Sequence, residues 1–207
     1  MLEQPMFALE HADVRQLIAD HPWAELISSS PDDGGDLVVS HLPILQDPDT
    51  AEPVVLGHLA AEDARIHQLG DRRVVLVVQG PHGYISPTWY QDGPFVPTWN
   101  FAVAHLHGVP EVLDATETFR ILDATCERME AERGSGWKLS GVQEYADRIA
   151  PYTTGFRLVP DRIVGKSKMS QDKPPEIVDR VIAALQTDQV HGNQPLARQM
   201  RTARDQA

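Results

Sequence analysis

The sequence predicts a mainly β protein with flanking helices (α+β), built on an antiparallel barrel, closed or partly closed. Five or six short runs of β-branched residues and leucine are separated by turns rich in Gly, Pro and Asp, the spacing of hairpin-linked strands. Helical patterns fall at the edges, with one long helix after the fifth strand, so the alternation of a doubly wound sheet is missing. No GxGxxG or P-loop pattern occurs. The 207 residues, 42% of them hydrophobic, suffice for a core, and we expect one domain over 1–207 with a C-terminal helical extension from about residue 174.

Val14, Leu17 and Ile18 at helical spacing before His21-Pro22 predict a short amphipathic helix over 10–20. Trp23 to Ser29 reads as a strand, Pro31 to Gly35 as a turn and Asp36 to Leu45 as the hairpin partner. A turn over 46–53 leads into a strand over 54–59, and a helix follows over about 61–69. Val74 to Val78 forms a buried strand. Gly80, Pro81, Gly83, Pro87, Gly93, Pro94 and Pro97 then punctuate a stretch crowded with His82, Tyr84, Ser86, Trp89, Tyr90, Trp99 and Asn100. Such groups suit a pocket better than a folding nucleus.

A long strand is expected over 101–112, and the clearest helix runs over 116–133, with Phe119, Leu122, Cys126 and Met129 on its sheet-facing side. Gly134-Ser135-Gly136 ends it. A short helix over 142–149, a last strand over 155–164, a helix over 174–185 with Pro at its start and a terminal helix over 196–204 complete the chain.

Composition narrows the functions. One cysteine, Cys126, excludes an internal disulfide and a cysteine-based metal site within one chain, which suits a reducing cytoplasm. The first residues lack the basic start and apolar core of a signal peptide, and no apolar run has the length to span a bilayer. A net charge of −12 opposes direct binding to DNA.

Nine histidines are many for this length, and His41, His58, His82, His105 and His107 lie at or beside predicted strands. Each is either a hydrogen-bonded structural group or a ligand. His105 and His107 share a strand face, yet no third residue has metal-ligand spacing. Trp89, Tyr90, Trp99 and Phe101 either pack between subunits or wall a flat cofactor. Lys166, Ser167, Lys168, Ser170 and Gln171 either hold a phosphate or carboxylate or form an ordinary exposed loop. No Gly-x-Ser-x-Gly context or exposed reactive thiol points to covalent catalysis, so any hard chemistry belongs to a cofactor.

Five blocks carry a family resemblance: SHLP at 40–43, GHLA at 57–60, QGPHGYISPTWY at 79–90, VPTWN at 96–100 and KSKMSQ at 166–171. In this order they resemble the PaiB-like proteins, described as FMN-binding negative transcriptional regulators with a flavin-reductase-like split barrel. The resemblance implies a homodimer with a cofactor cleft between subunits. After GHLA the family continues Arg-Ala-Asn-Pro, whereas this chain has Ala61-Glu62-Asp63-Ala64-Arg65, so a phosphate-binding cation is missing. A second kind of member, the piperazate synthases, uses haem b to close N5-hydroxy-L-ornithine into piperazic acid. That resemblance implies His58 as axial iron ligand, Trp89, Trp99 and Phe101 as walls, and Arg65, Lys166 and Lys168, with Ser170 and Gln171 beside them, as partners of propionates or of an amino-acid-like substrate. His82, Tyr90 and His41 are then the candidates for proton transfer. FMN is the alternative cofactor, in a regulator or a flavin-dependent oxidoreductase.

Overall fold

The structure is a computed structural model that describes residues 1, 3–29 and 35–205. Eight strands hydrogen-bond in the order β6-β7-β3-β2-β1-β4-β5-β8. They are β1 (Trp23–Ser29), β2 (Leu37–Gln46), β3 (Val55–Ala60), β4 (Val74–Ile85), β5 (Thr98–Gly108), β6 (Glu111–Val112), β7 (Thr153–Leu158) and β8 (Arg162–Lys168). The β1–β2, β1–β4, β2–β3, β3–β7 and β6–β7 pairs are antiparallel. The helices are α1 (His11–Asp20), α2 (Ala61–Ile66), α3 (Pro87–Tyr90), α4 (Ala115–Arg133), α5 (Gln143–Ile149), α6 (Pro175–Thr187) and α7 (Gln194–Asp205). No helix among the described residues is long and apolar enough to cross a membrane.

The chain divides into two compact units. The first comprises His11–Val78 and His105–Ile163. Within it β1 pairs with β2 from Trp23↔Pro43 to Ser29↔Leu37, the expected hairpin, whose turn at 31–34 lies outside the described residues. Period-two alternation buries Ala24, Leu26, Leu42 and Ile44. Asp114 caps α4 by accepting from Glu117 N at 2.9 Å, and Gly134 ends it at φ 63°.

The buried face of α4 differs from the expected one. Thr118, Ile121 and Thr125 are buried, while Phe119, Leu122, Cys126 and Met129 are half-exposed. The cause is Gly155 on β7. A Cβ there would lie 3.0 Å from the Thr118 Cα, so only glycine admits the helix this closely, and small Thr118 fits where a phenyl ring does not. Thr118 Oγ1 accepts the Gly155 N–H at 3.1 Å.

The second unit comprises Met1–Glu10, Gln79–Ala104 and Val164–Ala207. Ile177, Val178, Val181, Ile182 and Leu185 of α6 and Leu196, Ala197 and Met200 of α7 are its buried helical residues, and α6 packs on α7. Asn100 is fully buried and donates to Ser170 Oγ at 2.9 Å and Met200 Sδ at 3.4 Å, tying β5 to α7.

Three strand boundaries differ from expectation. β4 continues past Val78 to Ile85, because backbone pairing with its neighbours in the sheet tolerates the glycines and Pro81. The strand expected over 101–112 starts earlier, at Thr98, and breaks after Gly108, before Pro110. The strand expected over 155–164 is two strands parted at Pro160, whose ring supplies no ladder donor.

Candidate functional site

In the first unit the informative residue is His58. It lies on β3 opposite Gly155, and directly opposed residues of an antiparallel pair share a face. His58 therefore occupies the face on which Thr118 fills the space left by Gly155. Its Nδ1 is buried and has no hydrogen-bond partner among the described residues. Burial lowers its pKa, so the ring is neutral at neutral pH. Leu56 and Arg157, opposed two residues further along, share that face and line a cavity of about 530 Å³ between β2, β3, α1 and α4. His58 is not among its lining residues.

Arg65 and His41 belong to the same unit. Arg65 is exposed and donates to Glu62 from both Nε and Nη2, at 3.1 and 2.5 Å. His41 is exposed on β2, opposite Glu25. His105 and His107 are half-buried with lowered pKa values, chiefly from desolvation. No group of three metal-ligating side chains occurs among the described residues. His67, which the sequence did not single out, is fully buried, with Nδ1 2.8 Å from Ser28 Oγ and Nε2 3.0 Å from Ser40 Oγ.

The remaining candidates lie in the second unit. The stretch 86–91 folds into α3 because Ser86 caps it, Pro87 starts it and Gln91 ends it in the left-handed region. That turn buries Trp89 and Tyr90, and Tyr90 meets the Phe95 ring edge-on at 5.0 Å. Burial, then Asp172 and Tyr84, push the Tyr90 phenol above its ordinary pKa. Arg180 donates to the Tyr90 carbonyl at 2.8 Å. His82 is exposed; its Nδ1 lies 3.1 Å from the Gly80 carbonyl, which can only accept, so Nδ1 carries the proton and Nε2 the lone pair.

Trp99 is 56% exposed and Phe101 half-buried. Lys168 donates to Thr98 Oγ1 and, at 3.1 Å, to the Trp99 carbonyl. Desolvation lowers its pKa against the opposing pull of Asp172. Lys166 is buried, 3.3 Å from Gln4 Oε1 and over the Phe7 ring. Gln171 braces its own loop through Met169 N and Ser167 O. Thus the 166–171 stretch is a hydrogen-bonded brace against β5, with Ser170 held by Asn100.

Residues 1–162 match the family model described as "Putative FMN-binding domain". Protease synthase and sporulation protein PAI 2 of Bacillus subtilis is 29% identical over 170 residues, 80% of this chain and 79% of that protein. The structure of an FAD and heme binding protein from Mycobacterium smegmatis matches with a TM-score of 0.61 at 17% identity, over 82% of this chain and 77% of that one. The flavocytochrome Anf3 of Azotobacter vinelandii matches at 0.56 and 16% identity, over 78% and 69%. These likenesses fix the fold as the mainly β, split-barrel class expected from the sequence.

The two cofactors share one demand and differ in another. An FMN phosphate and haem propionates alike need cationic donors, and Arg65 is paired with Glu62 while Ser170 and Gln171 are held within their own unit. Haem needs a neutral imidazole, and His58 presents one with an unanswered nitrogen.

Proposed function

The chain belongs to the FMN-binding domain family, and we propose that within it this protein is a haem b enzyme resembling the piperazate synthases. The observation that carries this reading is the half-buried His58 ring, its pKa lowered by desolvation, whose buried Nδ1 has no partner among the described residues. His58 would ligate the iron, Trp89, Trp99 and Phe101 would flank the ring, and Arg65, Lys166 and Lys168 would meet propionates or substrate carboxylate, with Ser170 and Gln171 holding the lysine loop in place. A homodimer in a reducing cytoplasm is the working form we propose.

The reaction joins the α-nitrogen of N5-hydroxy-L-ornithine to its δ-nitrogen, breaks the N–O bond and releases water. When bound, haem would supply a Lewis-acidic iron that makes the departing oxygen a better leaving group. His82 is suited to take the α-amine proton, since its Nδ1 is engaged by Gly80 and Nε2 keeps a lone pair. Tyr90, held neutral by burial and nearby negative groups, is suited to protonate the departing hydroxide. His41, exposed, is suited to exchange protons with solvent.

The family match favours a second reading, a PaiB-like FMN-binding regulator or flavin-dependent oxidoreductase. A charge of −12 weighs against its acting directly on DNA. Incubating haem-loaded protein with N5-hydroxy-L-ornithine separates the two. A cyclic product one water lighter than substrate supports the enzyme; a protein that takes up FMN, binds no haem and forms no product returns it to the second class.

A further inference from the structure

The cavity of about 530 Å³ between β2, β3, α1 and α4 contains none of the residues assigned to haem or to proton transfer, and its size is that of a small-molecule site. Its floor is apolar: Ile18, Ile44 and Ile121 are buried there, with Leu56 half-buried beside them. Ala19 of α1 and Ala124 of α4 also line it, and their single methyl groups leave the space between the two helices unfilled. Arg128 of α4 reaches across, donating from Nη2 to the Ala19 carbonyl at 2.6 Å, one of the last carbonyls of α1 that no helical N–H can answer.

The charged groups of the lining are unequally engaged. Asp47 is buried and spent within the protein: Oδ1 accepts from Asp49 N at 3.0 Å and Oδ2 from Arg157 Nε at 2.8 Å. Glu117 is paired with Arg120 on the surface of α4, Asp49 is exposed, and Arg128 lies 3.6 Å from Glu132. Arg157 is half-buried and donates only through Nε; its Nη1 and Nη2 have no partner among the described residues. Asp47 thus fixes the guanidinium by one nitrogen and leaves free the Nη1–Nη2 edge, whose parallel N–H groups match the two oxygens of a carboxylate.

We infer that this cavity binds an amphipathic carboxylate, an apolar chain ended by one carboxylate group. The chain lies on the floor of Ile18, Ile44 and Ile121, where burial of its methylene groups supplies the attraction, and the carboxylate meets Arg157 and Arg128. Asp47 is the positioning residue for Arg157. The site stands whether or not His58 ligates haem.

Octanoate is the probe, titrated calorimetrically into the full chain, and octylammonium, the same chain ended by a cation, is the comparison. Octanoate should bind saturably and roughly tenfold more tightly than octylammonium. Ala124→Phe, at an exposed position of α4, places a ring in the mouth of the cavity; it should weaken octanoate roughly tenfold and leave the melting temperature unchanged. Arg157→Lys keeps a cation beside Asp47 and loses the fork, so the dissociation constant should rise roughly three- to tenfold. Octylammonium bound as tightly as octanoate, no saturable heat from octanoate, or an Ala124→Phe variant that binds octanoate as the parent does, overturns the inference.

Discussion

His67 follows α2 with both ring nitrogens answered, by Ser28 and by Ser40, whereas His58, one element earlier on β3, keeps a buried Nδ1 that nothing among the described residues answers. Both belong to the same compact unit, and desolvation lowers both pKa values. The direction of titration alone would rank them alike, although His67 is fully buried and His58 half-buried. Counting partners separates them: a buried imidazole with two hydroxyl neighbours completes its surroundings, and one with an orphaned nitrogen carries a cost that a ligand can offset.

The surroundings of His58 are the easiest to break. Gly155→Val puts methyl groups where Thr118 and the α4 backbone sit, and should cost about 3 kcal/mol in urea unfolding through overpacking. His67→Ala should cost about 2 kcal/mol, from a cavity and two serine hydroxyls left without their partner. His58→Ala should cost distinctly less in the same measurement, since its Nδ1 makes no bond to lose. Equal losses for the two variants would erase the distinction drawn here.

Acid sharpens the contrast. His67 has a folded pKa below its ordinary value of 6.5, with burial the main cause and Asp63 opposing it. Below pH 6.5 the unfolded chain therefore binds the proton more readily, so the stability due to neutral His67 is full above that pH and is lost as pH falls. A single such group contributes a slope of at most about 1.4 kcal/mol per pH unit. His67→Gln should flatten the fall in melting temperature between neutral and mildly acid pH, leaving the part due to His21, His58, His105 and His107. The smallest effect belongs to Arg65→Ala, whose exposed pairing with Glu62 should leave the melting temperature unchanged.

Local pattern carried most of the architecture. α1, β1, β2, α6 and α7 follow from apolar periodicity and from proline and glycine at their ends, and each lies within about two residues of its expected bounds. What stayed hidden depends on contacts distant in sequence. The face of α4 is set by Gly155, whose role appears only when β7 lies beneath the helix. β4 reads as a loop after Val78 because glycine and proline signal turns locally, while neighbouring strands decide otherwise. Among the site residues, His58 and the aromatic stretch were legible as blocks. His67 was not, because Ser28 and Ser40 meet it from other strands.

The most direct test is the visible spectrum of the protein expressed with iron and haem precursor, recorded for the parent, His58→Ala and His67→Ala. The account predicts a Soret band in the parent and in His67→Ala that is lost in His58→Ala. A Soret band that persists in His58→Ala, or flavin bands in all three proteins with no Soret band, would contradict it.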